Sequence, residues 1–198
     1  MLERMRWLGC FVVMLDLTGQ VLIAMPGMGD PRFAGAVVLL CSHSPEGAMG
    51  LIVNKPSSDV RVTDLLSQLD LETTRPNLDR PVHFGGPVET SRGFVLHSPD
   101  YGSRIQTLTV TDGVAMTATL DILEDIARGT GPRTAMMLLG YAGWGPGQLE
   151  DELGRNGWLT AQAGAGLIFD TPDLEKWGAA LKTLGIEPMM LSSSAGHA

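Results

Sequence analysis

The chain is short of cysteine, of aromatic residues and of positive charge. Cys10 and Cys41 are the only cysteines in 198 residues, and they form no C-x-x-C pair. Two such thiols supply neither a disulfide framework nor a thiolate metal site, so a reduced, cytoplasmic setting is expected. Against 22 acidic residues stand only 14 Lys and Arg, giving a net charge of −8, and the arginines are scattered singly. That balance repels a phosphate backbone and argues against direct nucleic-acid binding. No apolar run reaches the roughly 18 residues needed to cross a bilayer, so no membrane partner is expected. Residues 1–15 carry Arg4 and Arg6 before a short apolar run that Asp16 closes; they read as an N-terminal extension, with Met14 as an alternative start, rather than as a secretory signal.

Signatures of chemistry are missing too. The sequence contains no G-x-x-x-x-G-K-[ST], G-x-G-x-x-G or G-x-S-x-G pattern, and its four histidines, His43, His83, His97 and His197, form no H-x-x-x-H pair. No cofactor and no metal are expected, and the chain reads as a binding or regulatory protein rather than an enzyme.

What is present is a series of short valine-, leucine- and isoleucine-rich runs broken by glycine, proline and charge. Runs 20–25, 35–41, 48–53, 82–85, 93–97 and 105–110 predict buried strands of a mixed sheet. Between them, Val62, Leu65, Leu66 and Leu69 share one helical face, and Leu120, Leu123 and Ala127 share another that Gly129 can stop. A last helix is predicted with Thr171 as cap, Pro172 at its first position, a stripe of Leu174, Trp177, Leu181 and Leu184, and Gly185 at its end. The segments 40–47 and 95–102 both read strand, His-Ser-Pro-acid, glycine, and each predicts a hairpin turn. The polar tail, 191–198, follows the domain spanning 16–190.

The densest feature is Gly140-Tyr-Ala-Gly-Trp-Gly-Pro-Gly-Gln-Leu-Glu150, an apolar strand running through a glycine-rich bend into an acidic helix start. Two readings of Trp144 stay open: an anchor presented with Tyr141 to a partner or apolar ligand, or a plug at the edge of the core. Glu150, Asp151 and Glu152 crowd the helix start, where they would repel a phosphate. Asn54-Lys55-Pro56 ends a strand with an amide and a cation that can hold an anion or simply close the turn. With Arg92, these are the basic candidates for a small anionic ligand. His43 and His97, with Glu46 and Asp100, would make a divalent site if their two turns lay side by side; the other reading is histidines hydrogen-bonded within turns.

Four blocks in order carry a resemblance. They are Leu22-Ile-Ala-Met-Pro26 with Asp30-Pro31; His43 followed by Glu46-Gly-Ala-Met-Gly-Leu-Ile-Val-Asn-Lys-Pro56; Phe84-Gly-Gly-Pro87 with Arg92-Gly-Phe-Val-Leu-His-Ser-Pro99; and Gly140–Gly145 with Gln148-Leu-Glu150. From about residue 16 onward the chain resembles the bacterial YqgE/AlgH family. The resemblance implies an α+β architecture, a bulged and twisted mixed β-sheet with flanking helices, possibly in two lobes. It supplies no catalytic residues to carry over. The AlgH name reflects a proposed role in transcriptional regulation of alginate production, which for so acidic a chain is expected to be indirect. The expected binding surface gathers His43, Glu46, Asn54 and Lys55, then Gly85, Gly86, Arg92 and His97, then Tyr141, Trp144 and Gln148, because turns and strand ends are where ligand groups are usually mounted. A protein partner is the expected occupant; the alternative is a small anionic ligand or a nucleotide, bound or turned over by these turn-mounted His, Asn and Arg residues.

Overall fold

Residues after Gln20 in strand β1 (Gln20–Ala24) are buried without alternation, which requires cover on both faces of the sheet. The cover is visible in how the pleat sorts side chains. From β1 and β2 (Val37–Ser44), Val21, Ile23, Val37 and Leu39 enter one cluster with Ala180 and Leu181 of the helix Asp173–Thr183. Their neighbours Leu22, Ala24, Val38 and Leu40 enter a second, with Leu149 of the helix Gln148–Gly154. A computed structural model describes residues 16–73, 78–162 and 164–191 of the chain. The expected extension over 1–15, and the tail beyond residue 191, lie outside the described residues.

The remaining strands are β3 (Gly47–Ile52), β4 (Pro56–Arg61), β5 (Pro81–Phe84), β6 (Val88–His97), β7 (Leu108–Thr111), β8 (Val114–Thr117), β9 (Ala135–Trp144) and β10 (Trp158–Gln162). The helices are α1 (Val62–Gln68), α2 (Leu120–Arg128), α3 (Gln148–Gly154) and α4 (Asp173–Thr183). One large curled sheet, a half-barrel, runs antiparallel in the order β10-β1-β2-β3-β9-β6-β8-β7. To it β5 adds in parallel alongside β9, and β4 pairs with β5. The chain is therefore α+β with a mixed, bulged sheet. A third cluster, with Val62, Leu66, Ile122 and Ile126, packs α1 and α2 against Val82, Val95 and Met137.

Strand β9 joins what would otherwise be two lobes. Its first half pairs with β5 and β6, and Ala142–Trp144 pair with β3. At the joint the backbone after β5 crosses β9: Gly85 N–H donates to Leu139 O and Gly85 O accepts from Ile52 N, both at 2.8 Å. A Cβ on Gly86 (φ 155°) would lie 2.1 Å from the Tyr141 carbonyl carbon, and one on Gly140 (φ 73°) would lie 2.3 Å from Gly86 O. Only glycine permits this crossing.

Several expectations are corrected. The 40–47 segment is the tight β2–β3 hairpin, but 95–102 is not a hairpin: β6 pairs with β8 and β9, and Ser98 and Asp100 instead tie this loop to Thr134 and Arg133. The strand predicted over 105–110 begins only at Leu108, with Ile105 exposed. Helix α4 begins after Thr171, whose hydroxyl donates to Gly166 O instead of capping, and Leu174 is 96% exposed. The buried face of α4 is Lys176, Ala180 and Leu181 with Trp177 beside them. Leu120 likewise faces out, the core face of α2 being Ile122, Ile126 and Ala127 at helical spacing. The αL glycine stop at Gly129 holds (φ 86°).

Candidate functional site

Between Val88 and Gly93 the β6–β9 register shifts, and within that bulge Glu89 adopts φ 46°, a conformation costly for a side-chain-bearing residue. The bulge carries Arg92, whose guanidinium lies 5.3 Å from the Phe94 ring centroid and bonds Glu89 at 3.1 Å. Phe94 meets Tyr141 edge to face, with centroids 6.0 Å apart. Arg92, Phe94 and Tyr141, with Met49, Met116 and Glu46, line a groove of about 740 Å³ between β3, β6, β8 and β9. Its wall is sulfur-rich and aromatic, and its charges, Arg92 and Glu46, are exposed. Such a lining suits an apolar body with a polar end.

Of the expected surface, the groove gathers Glu46, Arg92, Tyr141 and Trp144. Trp144 belongs to it as wall rather than anchor. Its side chain is buried at 6% exposure, its ring stands edge to face with Trp158, and its N–H donates to Glu152 Oε2 at 2.9 Å. The core-plug reading is the one that matches this geometry.

The other expected residues lie apart and are engaged internally. His43 accepts from Leu17 N–H through Nδ1 (3.1 Å) and meets Glu150 through Nε2 (2.8 Å). Glu150 sits in the first turn of α3, where its own backbone amide and His43 hold its carboxyl below the usual range. His97 is fully buried: Nδ1 donates to Ser98 O (2.8 Å) and Nε2 accepts from Thr117 Oγ1 (3.0 Å). Both ring nitrogens of His97 are thus engaged within the fold. No group of three or more His, Cys, Asp and Glu among the described residues is arranged to hold a metal ion. Asn54 accepts from Val37 N–H and donates to Gly35 O, both at 2.8 Å, and Lys55 donates to Arg32 O at 2.7 Å. The turn-closing reading describes both. Gly85 and Gly86 form the backbone crossing, and Gln148 accepts from Gly145 N–H while donating to Glu152.

A second polar centre has no sequence pattern. On β5, His83 meets both carboxylate oxygens of Asp173 at 3.1 Å through Nε2. Lys176, 2% exposed, donates to Asp173 Oδ1 (2.7 Å) and to Val53 O (2.8 Å). Burial pushes the Asp173 carboxyl up, but Lys176 and His83 outweigh it and hold the group ionised below its usual range. Burial pushes His83 down against the pull of Asp173. The Nδ1 atom of His83 is buried without a hydrogen-bond partner among the described residues. The one available signal was a lysine three residues after an aspartate within an apolar helical stripe.

Comparison with known proteins agrees with this architecture. A family model described as AlgH-like matches residues 21–189. A UPF0301 protein of Ruegeria pomeroyi is 62% identical over 185 residues, covering 93% of this chain and 100% of the relative. One of Paracoccus denitrificans is 56% identical over 185 residues, covering 92% and 97%. Among solved structures, the solution structure of the AlgH protein from Pseudomonas aeruginosa is 43% identical with a TM-score of 0.75, covering 92% of this chain and 96% of that one. The crystal structure of a Corynebacterium diphtheriae protein, 24% identical with a TM-score of 0.69 and covering 88% and 89%, shares the fold.

Proposed function

The chain belongs to the AlgH-like family, and from that premise we propose a non-catalytic binding protein whose ligand occupies the groove of β3, β6, β8 and β9. The ligand is a small molecule with an apolar body and one anionic group. The observation that carries this reading is the β6 bulge, which accepts an unfavourable backbone at Glu89 and holds Arg92 over Phe94 on the groove. Backbone strain of about 1–3 kcal/mol persists where surrounding structure enforces it, and such places cluster at binding sites. The volume of about 740 Å³ lies within the range of small-molecule sites.

Any regulatory action is indirect in this proposal, passing through ligand occupancy to a protein partner, since a net charge of −8 opposes contact with DNA. Cytoplasmic residence belongs to the same reading, supported by Cys41 as a buried free thiol. No described helix is long and apolar enough to cross a membrane.

The test uses 1-anilinonaphthalene-8-sulfonate, an aromatic anion whose fluorescence reports an apolar site. One molecule is expected to bind per chain. Arg92→Gln removes the anion partner, and Leu108→Glu sets a like charge on the half-exposed groove wall. Each is expected to weaken binding by roughly tenfold, the worth of one charge-assisted contact. Equal titration curves for the three proteins would overturn the assignment.

A further inference from the structure

The His83, Asp173 and Lys176 centre borders a partly open cavity of about 370 Å³ lined by β5, the start of β9 and the N-terminal end of α4. The cavity is independent of the groove: it shares no lining residue with it. At about 30 Å³ per water molecule it has room for roughly a dozen waters or one small organic anion.

Asp173 is ionised and can only accept, so the His83 nitrogen facing it carries the proton. The neutral ring then presents a lone pair at Nδ1, buried and unpaired among the described residues, on a side chain only 8% exposed. A buried acceptor left without a donor is uncommon and destabilising, so a donor from outside the chain would complete the site. The lining also supplies positive charge. Arg80 and Arg133 both border the cavity, and Asp100 engages Arg133 through Nε, leaving its terminal nitrogens without a partner among the described residues. Lys176, by contrast, is committed to Asp173 and Val53 and holds the carboxylate in place. Leu78, Ile126 and Phe169 contribute apolar wall.

We propose that this cavity is a second ligand site, for a small hydroxycarboxylate whose anionic group faces Arg133 and whose hydroxyl donates to His83 Nδ1. Asp173 and Lys176 are positioning residues that hold the imidazole in the tautomer with Nδ1 free.

The experiment follows the His83 ring nitrogens by long-range ¹H–¹⁵N correlation in the full chain during titration with glycolate, and with acetate as the same anion lacking the hydroxyl. Glycolate is expected to move the Nδ1 resonance toward its hydrogen-bonded position at millimolar concentration, and to bind roughly tenfold more tightly than acetate, the worth of one hydrogen bond. Arg133→Gln, a change at a side chain 82% exposed, is expected to weaken glycolate severalfold while leaving the free-protein spectrum intact. The proposal is overturned if Nδ1 is already hydrogen-bonded in the free protein and glycolate leaves it unmoved, which would mean a trapped water. Equal affinities for glycolate and acetate would also overturn it. Because the readout comes from the unsubstituted protein, it does not depend on how a His83 variant folds.

Discussion

Trp144 and Glu152 are joined by a hydrogen bond of 2.9 Å from the indole N–H to Oε2, and the same oxygen receives the N–H of Trp158 at 2.8 Å. One carboxylate from α3 thus holds two indoles set edge to face, from the last residue of β9 and the first of β10.

Removing that acceptor strands two indole donors inside the protein. Glu152→Ala is expected to destabilise by about 3 kcal/mol, and Glu152→Gln, which keeps an accepting oxygen, by about 1 kcal/mol. Urea unfolding monitored by tryptophan fluorescence measures both. An alanine variant no less stable than the glutamine variant would contradict the role given to the carboxylate.

The Gly86–Gly140 crossing and Gly147 make a contrasting set. All three have positive φ, but an added Cβ at Gly147 (φ 73°) meets nothing within 4 Å. Gly147→Ala is therefore expected to cost only the left-handed backbone term of about 1–2 kcal/mol. Gly86→Ala must also separate β9 from the crossing backbone and is expected to lose about 4 kcal/mol or more, or to fail to fold. Comparable thermal midpoints for the two variants would sink the crossing as the joint of the sheet.

How much was legible in the sequence depended on how much each element buries. Strands β1, β2 and β3 read clearly because unbroken apolar runs with cover on both faces leave no other assignment. Strand β4, Pro56-Ser-Ser-Asp-Val-Arg, is polar and mostly exposed, and exists through its pairing with β5, which no local pattern shows. Leu174 and Leu120 misled because leucines at helical spacing fit two adjacent faces, and only the position of the sheet selects one. The groove was partly legible through turn residues in separate motifs that β3, β6 and β9 bring together. The His83–Asp173 pair spans 90 residues and required the β5–β9 parallel pairing to place it under α4.

Cys41 is expected to be chemically silent. Burial pushes its thiol up to about 12, so almost no thiolate forms at neutral pH. Peptide-resolved iodoacetamide labelling at pH 8 is expected to leave Cys41 unmodified in the native protein and to modify it fully in guanidinium. Rapid native labelling would mean that the thiol is reached by opening of β2, and would remove it from the core.

Acid should weaken the protein in two stages, because its perturbed histidines and carboxyls all bind protons less readily when folded. His83 and His97 are pushed below the ordinary histidine value, burial being the larger cause in each, with Asp173 and Lys176 facing the first and Asp100 near the second. As pH falls through about 6.5 the unfolded chain takes up those protons first, so stability present at neutral pH is lost on the way to pH 5. Asp100, held at about 2 chiefly by the Ser98 hydroxyl, adds a second loss as pH falls below about 4, where the unfolded carboxyl protonates and the folded one does not. His83→Gln removes one of the two early contributions, so its thermal midpoint is expected to fall less steeply than that of the unsubstituted protein between pH 7 and 5, with His97 supplying the remaining slope. Below pH 4 both proteins lose stability through Asp100, and the substituted one loses less through Asp173, whose carboxyl His83 no longer helps to hold down. Parallel curves over the upper range would mean that His83 takes up its proton as easily inside the fold as in the unfolded chain, and would remove the neutral imidazole on which the cavity beneath α4 depends.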